Sequence, residues 1–506
     1  MNHNIKMPHL FYALLVLSML IVNPVNADDT LSGKPYSKSI DLDTSLPDDL
    51  HDDLPELGDV SETVLSAQDE QRIAEQILAE VAVSDEVLQD VEIVDYLQAL
   101  GNRLASASDD KQQAFYFFVV KDPSINAFAM PGGVIGVHTG LFLASNTESE
   151  LAGVIGHEIG HVTQHHLARM LAKQKTDTFK NIAGIALALL VSRSNPQLAQ
   201  GALSASSAAG IQRQLDYTRA HEREADRVGL SILANAGFDP SGMPAFFTTL
   251  QRGSRFVDGS APSFLRTHPL TTERISDVEN RVASMPYKQV ASSLDYYLVK
   301  AKLRASSGLA QAAIDQFKNN IAAGRYANET SEHYGLALAM LRKNDVVNAA
   351  EQVKWLEAHG AKSVFIENLK ARIAVANNNP QNAAKQYQDS LRRYPENRAL
   401  IYGYAEHFLA IKDAKSMISL VKEKQHLYPR DPYFYELLAK AYYLQGKDLL
   451  RYQAQGEAYY RQFNLDKAVE QMEFAARAND GTFYEKSIVE ARLKELQRIQ
   501  SYRKKG

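Results

Sequence analysis

A period of 34 residues in the C-terminal half of the chain constrains its fold more than any other feature of the sequence. Alanines recur at this interval, at Ala337, Ala371, Ala405 and Ala439. Pro395 and Pro429 keep the same spacing, as do Asn344, Asn378, Lys412 and Gly446. A repeat of this length is one pair of helices, in which small residues let the two helices pack closely. We therefore predict an all-α solenoid over residues 293–500, with the Asn344 column at the turns between helices.

The length and composition indicate a folded protein with several domains. The chain has 506 residues, and about 150 residues per domain predicts roughly two to four units. Hydrophobic residues make up 45% and charged residues 23%, as in ordinary folded proteins. The net charge is only −5 and no large basic block occurs, which argues against a nucleic-acid partner. The absence of cysteine excludes disulfides, thiolate metal ligands, a cysteine nucleophile and a lipid on an N-terminal cysteine.

The N-terminus has the order of a secretory signal peptide. Lys6 precedes an apolar stretch at residues 10–22, and Val25-Asn26-Ala27 supplies small or modest side chains before a cleavage point. The apolar stretch is shorter than the roughly 20 residues that span a bilayer. We predict a signal peptide over residues 1–27, cleaved after Ala27, and an exported mature chain. The competing interpretation is an uncleaved membrane anchor. Residues 28–66, rich in Asp, Pro and Ser, are predicted to be an extended acidic leader.

The next part of the chain is predicted to be mostly helical, with a small sheet. Helical spacing of apolar residues predicts helices over residues 67–81 and 86–106. Phe115–Lys121 and Val134–His138 have the composition of buried strands, with Met130-Pro131-Gly132-Gly133 as the turn between them. Two interpretations of these strands remain open. They form either a plain structural hairpin or a sheet whose edge strand pairs with an extended polypeptide substrate.

The sequence His157-Glu158-Ile159-Gly160-His161 carries the strongest chemical signal. If residues 151–171 form a helix, the two histidines lie one turn apart on the same face and can share one zinc ion. Glu158 lies beside His157 and can reach a zinc-bound water without being a ligand. Zinc lowers the pKa of such a water to about 7, so that the carboxylate can accept its proton. The alternative is an ordinary helix whose histidines are incidental.

A further predicted helix, over residues 215–236, supplies the remaining candidates for the site. Glu222 and Asp226 are four residues apart on one face, so that one can bind the metal while the other orients a ligand histidine. Two histidines and one carboxylate leave a fourth position for water, as in catalytic zinc sites. His221 is a rival ligand, and Glu224 points away from this face. Taken alone, the acidic cluster is also compatible with a solvated helix face.

The segment between these two helices has two parts. Residues 182–191 are apolar on all sides but too few to span a bilayer, which predicts a buried helix. Residues 192–210 are rich in Ser, Ala and Gly, which predicts a flexible loop. Because it connects two helices of the predicted site, the segment is a candidate lid or a point of peripheral membrane contact through residues 182–210.

Three motifs together resemble the gluzincin metallopeptidases related to the CAAX prenyl protease and HtpX. They are His157-Glu158-x-x-His161, Glu222-x-x-x-Asp226 and His268-Pro269-x-x-x-x-Arg274-Ile275. The strand segment Asn126-Ala127-Phe128-Ala129 with Gly132-Gly133 also looks like theirs. With the signal peptide and repeats of tetratricopeptide length, almost the whole chain resembles the periplasmic members of this family that enhance β-barrel assembly. The resemblance implies an α+β zincin-type metallopeptidase domain over residues 67–288, followed by an all-α tetratricopeptide-repeat solenoid over residues 293–500.

The resemblance also implies roles for individual residues. His157, His161 and Glu222 would hold one Zn²⁺ per subunit, Glu158 would act as general base, and Asp226 would support a ligand from behind. No other cofactor is expected.

Three roles remain open for His268. It stabilises the oxyanion of the tetrahedral intermediate, occupies the fourth zinc position in a latent enzyme, or starts a structural His-Pro turn. Arg274 is expected to pair with a nearby carboxylate.

The function implied by the resemblance is that of a periplasmic zinc-dependent endopeptidase with chaperone-like activity. It would serve the quality control and assembly of outer-membrane β-barrel proteins, and so the integrity of the outer membrane. Unfolded or misassembled outer-membrane proteins are the expected substrates. The repeats are expected to contact the barrel-assembly machinery and the lipopolysaccharide-export barrel. One alternative is a repeat-based chaperone or docking protein with a latent or idle zinc site, and another is a zinc-dependent hydrolase that acts on something other than peptides.

Overall fold

The computed structural model describes residues 67–172, 219–255 and 263–503. The predicted signal peptide, the acidic leader and residues 182–210 lie outside these ranges. Within them, no helix has both the length and the apolar character that crossing a membrane requires.

Two helices and a three-stranded sheet begin the described chain. Helix α1 covers Ala67–Val83 and helix α2 covers Val91–Ala105. The second helix starts later than the predicted range of 86–106, because the Asp90 side chain accepts backbone hydrogen bonds from the first turn and so caps α2. The strands are β1 (Tyr116–Val120), β2 (Ala127–Met130) and β3 (Val134–His138).

The sheet shows that the prediction of a hairpin between the first two predicted strands is wrong. Residues 127–130, which include the first residue of the predicted turn, form β2, and the strand order is β1-β3-β2. Strands β1 and β3 are parallel, whereas β2 and β3 are antiparallel and form the hairpin around the turn at Pro131–Gly133. Gly132 and Gly133 have φ angles of 71° and 76° in this turn, a conformation that strains residues with a Cβ. The four residues of β2 are too few to give a clear period-2 signal.

The motif histidines lie near the C-terminal end of a buried helix. Helix α3 (Thr139–Ala144) is followed by α4 (Glu148–Thr163). The prediction of one helix over residues 151–171 is wrong, because α4 ends at Thr163 and α5 (His166–Ala172) is a separate helix. Between them His165 has a φ of 50°, which is left-handed backbone and ends the hydrogen-bonding pattern of α4. The apolar spacing of the sequence gives no sign of this break.

Helix α6 (Arg219–Asn235) packs against α4 at very short range. A Cβ atom on Gly229 would lie only 2.8 Å from the Cα of His157, so glycine is required at this crossing. The close approach brings the acidic residues of α6 to the histidines of α4. Three further helices complete this part of the chain, namely α7 (Gly242–Arg255), α8 (Ser263–Thr267) and α9 (Thr272–Ala283). We call the part of the chain from α1 to α9 the catalytic region.

The remaining helices form a solenoid of tetratricopeptide type, which we call the repeat region. They are α10 (Leu294–Ser306), α11 (Ala310–Ala322), α12 (Glu329–Arg342), α13 (Val346–Ala358), α14 (Val364–Ala376), α15 (Pro380–Arg393), α16 (Arg398–Ala410), α17 (Ala414–Lys424), α18 (Pro432–Leu444), α19 (Asp448–Arg461), α20 (Leu465–Arg477) and α21 (Phe483–Arg503). The alanines of the 34-residue column are buried where neighbouring helices meet. The column of Asn344, Asn378, Lys412 and Gly446 lies at turns between helices, with φ angles of 65°, 52°, 60° and 66°.

The repeat region packs directly on the catalytic region. One cluster of buried apolar side chains is continuous from Ile93 in α2 to Ile373 in α14. At the same boundary the buried Lys302 of α10 lies 2.7 Å from a carboxylate oxygen of Asp90, and Arg398 of α16 pairs with Asp95 of α2. The first repeats and the catalytic region therefore share one core.

Candidate active site

The two motif histidines face one point at the end of α4. The helix begins after Thr147, whose hydroxyl accepts a hydrogen bond from the backbone N–H of Glu150, and acidic residues occupy its first turn. His157 and His161 lie one turn apart, are each 2% exposed, and have their Nε2 atoms 3.1 Å apart. Two imidazole nitrogens are thus buried side by side with their lone pairs directed to the same place.

Glu222 of α6 completes this group. Its Oε2 atom lies 3.6 Å from His157 Nε2, and its Oε1 atom lies 3.4 Å from His161 Nε2. His221, the rival ligand, lies outside the group, and its ring stacks on that of His166 with centroids 4.6 Å apart.

Asp226 and Arg274 lie behind these ligand candidates. Asp226 Oδ1 is 2.9 Å from His157 Nδ1, on the side of the ring opposite Nε2. Arg274 donates hydrogen bonds of 2.7 and 2.8 Å to the two oxygens of Asp226. Its Nη1 atom also lies 2.7 Å from Glu222 Oε2, so one buried guanidinium holds both carboxylates of α6.

The structure places His268 inside the cluster. The residue follows α8, and its ring stacks on Phe264 with centroids 4.6 Å apart. Its Nδ1 atom lies 3.0 Å from Glu222 Oε1 and 3.5 Å from His157 Nε2. Among the residues that the structure describes, the group able to hold a metal consists of His157, His161, Glu222 and His268, with one ligand atom from each lying within 4.8 Å of the others.

Glu158 borders the cluster without belonging to it. Its side chain is fully buried, and Oε1 lies 3.5 Å from His268 Nε2. Burial raises the pKa of this carboxyl, although the charges of His268 and His157 act in the opposite direction. The backbone of Ala129 in strand β2 also lies close enough to lower this pKa, so the edge of the sheet lies beside Glu158.

Burial and neighbouring charges set the protonation of the cluster. Burial lowers the pKa of His161 to about 3. Burial would raise the pKa of Glu222, but the charge of His268 and the adjacent motif histidines hold it well below its usual value. Burial would lower the pKa of His157, but Asp226 and Glu222 raise it to about 9. Glu222 is therefore ionised and His161 neutral, so both offer lone pairs without protons. The raised pKa of His157 favours a proton that a divalent metal would displace from Nε2, so this donor set fits such a metal.

The sequence predicted no role for His166, which lies against the motif histidine His161 at the edge of the site. His166 is fully buried, and its Nδ1 atom lies 2.9 Å from Nδ1 of His161. Glu224, predicted only to point away, lies 2.9 Å from His166 Nε2. The histidine itself was visible in the sequence, but a continuous helix would place it on a different face from His161. Only the break at His165 brings the two rings together.

A small sheet packed on helices, a buried cluster of histidines with a carboxylate between α4 and α6, and a tetratricopeptide-type solenoid define a zincin-type metallopeptidase with a repeat region. Residues 94–282 match the profile of peptidase family M48. The chain therefore belongs to peptidase family M48, in the group of beta-barrel assembly-enhancing proteases.

Three relatives show how far the similarity extends. The putative beta-barrel assembly-enhancing protease of Vibrio cholerae serotype O1 is 32% identical over 83% of this chain and 87% of its own length. The beta-barrel assembly-enhancing protease of Yersinia pestis is 28% identical over 96% of this chain and 98% of its own length. Metalloprotease YcaL of Escherichia coli K12 is 31% identical over 37% of this chain and 67% of its own length. The first two relatives span both regions of this chain.

Proposed function

We propose that this chain is a zinc-dependent endopeptidase of the bacterial periplasm that acts on outer-membrane β-barrel proteins during their assembly and quality control, and so helps outer-membrane integrity. The observation that carries the proposal is the convergence of His157, His161 and Glu222 at one buried point with Glu158 beside it. Relatives named as beta-barrel assembly-enhancing proteases that span both regions support the choice of substrate class.

His157, His161 and Glu222 would hold one Zn²⁺ per chain, since two imidazoles and a carboxylate leave one position open in a catalytic zinc site. Bound there, a zinc ion would supply Lewis acidity, which lowers the pKa of water and polarises a peptide carbonyl. Asp226 lies 2.9 Å from Nδ1 of His157, where it would accept the proton of that nitrogen and so direct Nε2 towards the cluster. Arg274 in turn keeps Asp226 and Glu222 ionised and fixed.

Glu158 would move the protons of the reaction. In the ionised form it takes a proton from the attacking water, and it then delivers this proton to the amine that leaves. Burial raises the pKa of its carboxyl, which suits a group that must both accept and release a proton near neutral pH.

Strand β2 would align the substrate. It is an edge strand of the sheet, and its Ala129 backbone lies against Glu158. An extended polypeptide that adds to this edge is held by backbone hydrogen bonds, with its scissile bond close to the site. Backbone recognition of this kind suits an unfolded or misassembled protein and supports a peptide substrate over other hydrolase substrates.

His268 decides whether the site is open. Its Nδ1 atom lies among the ligand atoms, which supports the role in which it fills the fourth metal position and keeps the enzyme latent. Replacing His268 by Ala then raises proteolysis. A fall in proteolysis would assign His268 to the oxyanion instead, and an unchanged rate would leave it a structural residue.

The same observation supports a second candidate function. A chain whose fourth metal position is filled by its own histidine works as a repeat-based chaperone or docking protein while its peptidase is latent. In both cases the repeats would contact the barrel-assembly machinery and the lipopolysaccharide-export barrel. Residues 182–210 would supply peripheral membrane contact.

The test is degradation of an unfolded outer-membrane β-barrel protein by the purified mature chain, beside Glu158→Gln and with the zinc content of both proteins measured. Glu150→Gln, a buried carboxylate two turns earlier on α4, is the matched control. We expect cleavage by the wild type and by Glu150→Gln, and loss of cleavage in Glu158→Gln with zinc retained. Cleavage that persists in Glu158→Gln contradicts the proposed base. Zinc-loaded chains that prevent aggregation of the barrel protein without cleaving it support the second function.

A further inference from the structure

A chain of hydrogen bonds leads from His161 away from the metal cluster to the surface of α6. His161 Nδ1 and His166 Nδ1 are 2.9 Å apart, and His166 Nε2 lies 2.9 Å from Glu224 Oε2. The same carboxylate oxygen accepts a hydrogen bond of 2.7 Å from Arg169. His166 is fully buried, whereas the side chain of Glu224 is 30% exposed.

The metal cluster at one end of these hydrogen bonds and Glu224 at the other determine which ring nitrogens of His161 and His166 carry protons. Nε2 of His161 faces the cluster and must present a lone pair there, so its proton is on Nδ1. His161 therefore donates to Nδ1 of His166, which has to be unprotonated. The proton of a neutral His166 is then on Nε2, from which it is donated to Glu224. In this arrangement both imidazole protons are donated to an acceptor, first to His166 Nδ1 and then to Glu224.

The backbone break at His165 makes this arrangement possible. In an uninterrupted helix, residues five apart are rotated by about 140° around the axis, so the ring of residue 166 would point away from that of residue 161. The left-handed residue His165, with a φ of 50°, ends α4 and turns the next residue back beneath His161. The strained conformation thus delivers one particular side chain to one particular ring.

We propose that His166 and Glu224 are positioning residues that fix the tautomer and ring orientation of His161 as a metal ligand. The inference rests on the proposed function, since it requires that His161 bind zinc. With this role, each motif histidine has a carboxylate behind its ring. Asp226 lies directly behind His157, whereas Glu224 lies behind His161 with the imidazole of His166 between them. Carboxylates that back a ligand histidine in this way raise its affinity for metal.

The test measures zinc affinity, by competition with a chromophoric chelator, on the full mature chain. The variants are His166→Gln, Glu224→Gln and the double variant. Asp277→Asn is the matched control, because Asp277 also pairs with an arginine and its side chain is 39% exposed, but it lies on α9. We expect His166→Gln to weaken zinc binding by about 10- to 100-fold and Glu224→Gln to weaken it on the order of 10-fold. The control should match the wild type.

The zinc affinity of the double variant shows whether Glu224 acts through His166 or the two substitutions weaken binding independently. If Glu224 acts through His166, the double variant binds zinc as weakly as His166→Gln alone, since nothing remains for Glu224 to orient. Multiplied effects, or affinities of both single variants equal to that of the control, would overturn the proposal.

Two further comparisons keep the result interpretable. Thermal unfolding of the metal-free Glu224→Gln chain should equal that of the metal-free wild type, because a partly exposed carboxylate contributes little to folding without the metal. If His166→Gln does not fold, Glu224→Gln against its control decides the question alone. Failure of the wild type to bind zinc would overturn the proposed function itself. Normal zinc binding by the wild type and both variants would overturn only the positioning role of His166 and Glu224.

Discussion

The repeat region and the catalytic region are stabilised by contacts of different range. In the repeat region most helices pack mainly on their neighbours along the chain, and a buried alanine recurs at one position in α12, α14, α16 and α18. In the catalytic region the decisive contacts join distant segments: His157 and His268 are 111 residues apart and Arg274 and Asp226 are 48 apart. A period in the sequence therefore predicts the first region closely, whereas the second depends on how separate elements meet.

The repeat region and the site in the catalytic region should also respond differently to mutation. A repeat tolerates change at most positions and responds to the size of one buried residue or the conformation of one turn. In the site, buried charged side chains neutralise one another, so removing one of them leaves its buried partners unpaired. The following predictions test this contrast, beginning with the largest effect.

The largest effect is expected from Arg274→Met. The guanidinium is 2% exposed, and without it Asp226 and Glu222 would lose the buried arginine that pairs with both carboxylates. We expect the free energy of unfolding of the metal-free chain to fall by about 3–5 kcal/mol. Arg281→Met is the control on the same helix, because Arg281 forms an exposed pair with Asp277, and a change below about 1 kcal/mol is expected there. Equal losses in urea unfolding of the two variants would contradict the contrast.

The next effect concerns the alanine column of the repeats. Ala405 has no exposed surface, so Ala405→Leu forces extra volume into a packed helix crossing and should destabilise the repeat region by about 1–3 kcal/mol. Ala410→Leu, at an exposed position in the same helix, should change stability by less than about 0.5 kcal/mol. Zinc affinity should stay unchanged in both variants. A loss of zinc affinity in Ala405→Leu would show that the two regions are not separable in this way.

A smaller effect is expected at the turn column, with opposite signs at two equivalent positions. Lys412 has a φ of 60° and Gly446 a φ of 66°, and no atom lies within 4 Å of a Cβ built on Gly446. Lys412→Gly should therefore stabilise the chain by about 0.5 kcal/mol, while Gly446→Ala should destabilise it by about 1 kcal/mol. Chemical denaturation measures both. The same sign in both variants would show that backbone conformation does not govern this column.

The smallest effect is a pH dependence near the C-terminal end of the solenoid. Burial would raise the pKa of Glu457, but hydrogen bonds and charges from Arg492 and Arg461 hold it below its usual value of 4.5. Because the folded-state pKa is the lower one, the stabilisation is complete above about pH 4.5 and is lost as the pH falls through the folded value. Urea unfolding between about pH 5 and about pH 3 should show a shallower pH slope in Glu457→Gln than in the wild type. An unchanged slope would show that Glu457 does not contribute to the pH dependence of stability.

The parts of the structure that the sequence predicted are those with a local signal. The HExxH spacing, the i,i+4 pair of Glu222 and Asp226 and the 34-residue columns each depend on residues within one element or one repeat. The strand β3 was predicted at its observed bounds because its apolar run is flanked by glycines and a proline.

What the sequence did not predict depends on contacts across the fold. Strand β2 is four residues long, so its sequence shows no clear alternation, and only the family resemblance marked residues 126–129 as a strand segment. The left-handed His165 interrupts a helical pattern that continues on both sides, so periodicity passes over it. The roles of His166 and Glu224 emerge only after that break, because they depend on two helices meeting at His161.

The central claim is that three separate parts of the chain, namely α4, α6 and the residue after α8, meet around one zinc ion. Zinc K-edge X-ray absorption of the purified mature chain tests this claim most directly. We expect one zinc per chain, with imidazole nitrogens at about 2.0–2.1 Å and one carboxylate oxygen at about 2.0–2.2 Å. Three imidazoles would assign His268 to the latent state, and two would place it outside the ligand set. A zinc ion surrounded by oxygen ligands alone, or a chain without zinc, would contradict the claim.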